Sequence, residues 1–83
     1  MAEMSNLSVM SISVDHRKNS APKVQDILTS NGDIILGRFG IHDPQETNIG
    51  LITVNLRGTE NKINEMMNTL SGLDGVNVNH MNT

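Results

Sequence analysis

The chain has 83 residues, six Lys and Arg against nine Asp and Glu, a net charge of −3, no cysteine and one aromatic residue, Phe39. That length holds a single domain, close to the size at which a lone core becomes marginal and association helps. The scattered acidic residues oppose a phosphate backbone, and the missing thiols exclude a disulfide framework, a thiolate metal centre and thiol chemistry.

Residues 1–6 are acidic and polar with no apolar signal core, and they read as a disordered leader before one domain over 7–83. No run is long enough to span a bilayer, so a cytoplasmic protein is expected. From Leu7 to Asp15, Met10, Ile12 and Val14 alternate with Val9, Ser11 and Ser13, the pattern of a half-buried strand. The polar stretch from His16 leads to a helix cap at Asn19 or Ser20, with Pro22 in the first turn, where its missing N–H costs little. Val24, Ile27 and Leu28 supply the buried stripe, and Asn31-Gly32 offers the left-handed residue at which helices often stop.

The run G-D-I-I-L-G-R-F-G-I, Gly32 to Ile41, reads as the second strand. Regular alternation sends Ile34, Leu36, Arg38 and Gly40 to one face and Ile35, Gly37, Phe39 and Ile41 to the other. A polar loop with Pro44 separates it from a third strand, Ile49 to Arg57, with Gly50, Ile52, Val54 and Leu56 on one side. Thr59 caps a second helix whose stripe is Ile63, Met66, Met67 and Leu70, ending at Ser71-Gly72. Asp74-Gly75 makes a turn into a last strand carrying Val76, Val78 and His80.

The resulting order, β-α-β-β-α-β, predicts an α+β, ferredoxin-like fold: a four-stranded antiparallel sheet with both helices on one face and the first and third strands central. Met10, Ile12, Val14, Ile35, Phe39, Ile41, Ile52, Val54, Leu56, Val76 and Val78 are then expected under the helices. The other face would carry Val9, Ile34, Leu36, Arg38 and Leu51 as an interface, apolar enough to call for a second copy. Gly37 and Gly40 would permit close packing of a helix or partner strand.

A fold of this kind names no function, so each chemistry is asked for its residues. RNA recognition on a sheet needs stacking aromatics, and Phe39 stands alone. Acyl-phosphate hydrolysis would need a glycine-rich nest beside Arg17 and Lys18, and none is there, so no enzyme is expected. His16, His42 and His80 show no metal-ligand spacing, so no metal and no cofactor is assigned. If a small ligand binds, Asp15, His16, Arg17 and Asn19 facing a neighbouring subunit are the candidates, with Arg38 and His42 as outside candidates.

The stretch Gly32 to Ile41, the helix S-A-P-K-V-Q-D-I-L-T-S-N before it and I-T-V-N-L-R-G-T-E-N-K-I-N-E-M-M-N-T-L-S-G-L-D-G-V-N-V after it resemble the family of regulators of the iron-only hydrogenase system, over Val9 to His80. The resemblance implies an ACT-like domain that forms oligomers, related in fold to the C-terminal domain of nickel-responsive regulators. The nickel ligand set of those regulators includes a cysteine, absent here, and Asp15-His16-Arg17-Lys18 stands where amino-acid-binding ACT domains place a glycine. Two functions are expected to compete. One is a homo-oligomeric, effector-binding regulatory module, a dimer or tetramer with a hydrogenase-system protein as partner and no direct nucleic-acid or membrane contact. The other is a structural interaction or assembly factor that senses nothing.

Overall fold

The computed structural model describes residues 6–83. Its elements are β1 (Asn6–Asp15), a 3-10 turn (His16–Lys18), α1 (Ala21–Ser30), β2 (Ile35–His42), β3 (Ile49–Gly58), α2 (Glu60–Ser71) and β4 (Val76–Asn82). Of the leader expected over 1–6, residues 1–5 lie outside the described residues, and Asn6 is the first residue of β1. No helix among the described residues is long and apolar enough to cross a membrane.

The four strands form one sheet in the order β2-β3-β1-β4, with every neighbouring pair antiparallel. This is the ferredoxin-like α+β arrangement, and the first and third strands are central, as right-handed crossovers require. Residues directly opposite in a ladder share a face. Met10 pairs with Val54, Ile12 with Ile52 and Val78, and Val14 with Gly50 and Val76, so these side chains form one side of the sheet. There they meet Val24 and Leu28 of α1 and Ile63, Met66 and Leu70 of α2 in a single buried cluster.

Both helices start where their sequences dictate, and α2 also stops as expected at Ser71-Gly72, but the stop of α1 differs from expectation. Thr59 Oγ1 accepts from the Lys62 backbone N–H at 3.3 Å and caps α2. Ser20 sits at the N-cap of α1 with Pro22 in the first turn, yet its hydroxyl donates to the Asp74 carbonyl at 2.7 Å and leaves the helix uncapped by a side chain. The left-handed stop expected at Asn31-Gly32 is absent: Asn31 has φ −106°, and its side-chain Nδ2 donates to the Ile27 carbonyl at 2.8 Å, occupying an orphan acceptor of the last turn. The left-handed residues are instead Asn19, φ 61°, and Gly75, φ 74°, which close the 3-10 turn and open β4.

The second strand overturns half of its expected faces. Ile35 pairs with Leu56, but the next pair is Gly37 with Asn55, so Leu36 is an extra residue, a β-bulge, in the ladder. A slip of one residue moves every following side chain to the other face. Phe39 now pairs with Thr53 and Ile41 with Leu51, on the open side, where Phe39 is 69% exposed; neither belongs to the core expected of it. Arg38, opposite Val54, and Gly40, opposite Ile52, face the helix side, so Arg38 does not sit on the expected interface face. Ile34 precedes the strand, turns inward and is 6% exposed, in contact distance of Gly58, so it too leaves that face. Gly37 and Gly40 meet nothing within 4 Å of where a Cβ would stand, so neither packs against a helix within the chain.

Candidate functional site

Beyond the bulge β2 is exposed along its length, since the helices cover β1, β3 and β4 but not this edge. Between the end of this hairpin and the start of α1 lies a cavity of about 190 Å³. Val14, Val24 and Ile52 wall it, with Ala21, the first residue of α1, at one side. Its polar groups are His16, His42 and the amide of Gln25.

The two histidines converge because of register. His42 is the ladder partner of Gly50, which in turn pairs with Val14 on the helix side. His16 follows β1 directly, and its backbone N–H donates to the Asn48 carbonyl at 2.7 Å, tying it to the start of β3. Its imidazole then lies over Gly50: a Cβ on that glycine would stand 2.8 Å from His16 Nε2. The rings of His16 and His42 end 5.5 Å apart, centroid to centroid, tilted by 32°. A glycine within a strand often marks such a close approach.

Of the six candidate ligand residues, His16 and His42 line this cavity and Asp15, Arg17, Asn19 and Arg38 do not. Asp15 and Arg17 are bound to each other. The Arg17 backbone N–H donates to Asp15 Oδ1 at 3.0 Å, and its guanidinium donates through Nε and Nη2 to both carboxylate oxygens at 2.9 Å. These hydrogen bonds, the side-chain ones first, pull the Asp15 carboxyl down to about 2, and Asp15 raises Arg17 in return. The pair serves the 3-10 turn, which Asp15 caps and Asn19 closes. Arg38 stands exposed on the edge strand. Gln25, Ala21 and Gly50 also belong to the cavity; the glycine near the start of β3 is the sequence signal that points there.

His80 is remote from this pair, opposite Met10 on β4, so the three imidazoles do not meet. Among the described residues no three His, Cys, Asp or Glu side chains gather as metal ligands would. Of the expected interface residues, Val9, Leu36 and Leu51 lie along the open side, Val9 and Leu36 together in a shallow hollow with Leu7 and Asn55.

The architecture and its hairpin-end cavity define a small ferredoxin-like α+β module. The chain belongs to the TM1266-like family, described as "Iron-only hydrogenase system regulator, putative", whose pattern matches residues 6–80. Among solved structures it is similar to the uncharacterized protein TM1266 from Thermotoga maritima, with a TM-score of 0.86 and 23% identity over 94% of this chain and 96% of that one. It is also similar to the C-terminal domain of the MgtC protein from Mycobacterium tuberculosis, with a TM-score of 0.70 and 18% identity over 100% of this chain and 93% of the other. Likeness at these identities establishes the fold. No curated protein matches the sequence significantly.

Proposed function

We propose that this protein is a cytoplasmic regulatory module of the iron-only hydrogenase system that works as a homo-oligomer, a dimer or tetramer, and takes an effector in the His16–His42 cavity. The observation that carries the reading is the uncovered apolar group on the open face of the hairpin: Phe39 at 69%, Ile41 at 46% and Leu51 at 38% exposure, on neighbouring ladder positions. Apolar groups gathered in this way mark association surfaces, and a second copy is the occupant proposed. The net charge of −3 speaks against a direct grip on nucleic acid, so control runs through protein contacts, with a hydrogenase-system protein as partner. The cavity lining offers two imidazoles with no carboxylate, hydroxyl or amine beside them, which supports binding over catalysis.

Sedimentation equilibrium tests the assembly. The native chain is expected above its 9.1 kDa monomer mass, and Phe39→Glu is expected at that mass, because an unpaired charge in an apolar interface is strongly unfavourable. A native chain that sediments as a monomer overturns it. For the effector, a screen of melting temperature against organic acids, amino acids, nucleotides and divalent metals should show a shift, by linkage of ligand to the folded state. No shift with any of them favours an assembly factor without an effector. Loss of the gene in the source cell should alter hydrogenase level or activity; unchanged values overturn the regulatory role.

A further inference from the structure

The cavity at the hairpin end has a chemistry more specific than "effector". Its walls are aliphatic, its polar end is a pair of imidazoles with one amide nearby, and no Asp, Glu, Lys or Arg lines it. We infer that the site takes a small monocarboxylate with an apolar body and no ammonium group, the carboxylate held between His16 and His42 and the body laid against Val14, Val24 and Ile52. This rests on the reading of the cavity as an effector site and narrows it.

Three observations carry the inference. The first is size: the volume is about 190 Å³, and an apolar cavity of about 150 Å³ takes a benzene ring. A branched or aromatic acid of similar bulk therefore fits. The second is the polar end. A neutral imidazole keeps one N–H to donate, so the two rings, 5.5 Å apart, bring two donors to one end of the cavity. The first turn of α1 adds to this, since Ser20 gives its hydroxyl to Asp74 instead of capping the helix, and the positive end of the helix lies beside Ala21 of the cavity wall. The third is what the lining lacks. An ammonium group seeks a carboxylate or several oxygens, and the side chains here supply only the Gln25 amide oxygen. A free amino acid would leave that charge poorly paired. Gly50 makes the arrangement possible, because any side chain there would displace the His16 ring.

The test is titration of the full chain by amide-detected NMR with 4-methylpentanoate and benzoate, alongside leucine, 4-methylpentan-1-ol and zinc chloride. The acids are expected to saturate with shifts centred on His16, Val24, His42 and Gly50, and to bind at least ten times more tightly than leucine or the alcohol. His42→Leu should weaken the acids tenfold or more and leave the alcohol unchanged; His16→Leu should do the same, and the amide spectrum reports whether each variant is folded. Leucine binding as tightly as the acids overturns the exclusion of an ammonium group while leaving an effector cavity standing. Equal binding of acid and alcohol, or acid binding indifferent to both histidine variants, overturns the role of the imidazoles. Zinc shifting these residues while the acids do not overturns the ligand class in favour of a metal. No response to any probe overturns the class and leaves the effector reading to the wider melting-temperature screen, without touching the sedimentation test of assembly.

Discussion

The sheet has two unlike halves. In the middle, Met10, Ile12, Val54 and Leu56 are fully buried between strands and helices, and their ladder runs without interruption from Asn6 to Asp15. On the hairpin edge, every β2 residue after Ile35 is exposed and the ladder is broken by a bulge. The two halves contain similar residue types, so composition does not separate them. Cover separates them: where helices lie over the sheet, apolar residues stabilise the fold, and where none do, they are available to something outside the chain.

Truncation separates the two halves most sharply. Leu56→Ala, in the covered half, is expected to cost ~2–5 kcal/mol in urea denaturation, the range for a buried leucine that leaves a cavity. Phe39→Ala, measured where the chain is monomeric, should change stability by no more than about 0.5 kcal/mol, although its side chain is larger. A large effect at Phe39 in the monomer would erase the distinction. Next in size is Gly75→Ala, at the junction that joins β1 to β4 through the Asp15 N–H and the Gly75 carbonyl, 2.9 Å apart. Its φ of 74° disfavours a side chain by about 1–2 kcal/mol, and a Cβ would also crowd Lys18. Thermal unfolding of that variant should show the loss.

Smaller effects probe the edges of the covered half. Thr59→Ala removes the cap of α2 and should lower stability by about 0.5–1 kcal/mol, the low end of the range, since the bond is long at 3.3 Å. Asp15, at the hairpin end, gives a pH signature. Its carboxyl is pulled from 3.8 to about 2 in the folded chain, so the unfolded chain binds the proton more readily. The contribution is therefore complete above pH 3.8, declines as pH falls and is gone below about 2. Carboxyl NMR titration should find the Asp15 midpoint near 2, and Asp15→Asn should remove this part of the acid dependence of unfolding.

Most of the covered half could be read directly. Alternation at Met10, Ile12 and Val14 and at Val54 and Leu56 is unambiguous because the intervening residues are polar or small, and Thr59 and Pro22 mark helix starts by chemistry that acts locally. The hairpin edge resisted because Ile34, Ile35, Leu36, Phe39 and Ile41 place apolar groups in both phases of the alternation, so the period cannot choose between faces. A bulge leaves no compositional mark. The left-handed residue was misplaced for a related reason: Asn19, Asn31 and Gly32 all tolerate that conformation, and the surrounding structure selected Asn19. His16 and His42 were nameable by residue type, but their meeting depends on the hairpin register and on the empty place at Gly50.

The extra residue at Leu36 acts on the hairpin as a phase shift acts on a wave. Threaded without the slip, the same letters would turn Phe39 and Ile41 under the sheet and swing Arg38 outward, and His42 would no longer stand across from Gly50. One insertion or deletion upstream of Gly37 thus exchanges the oily and the polar sides of the arm at a stroke. The job of each residue along this arm is therefore set by its count from that bulge, since the same residue one step to either side faces the opposite way.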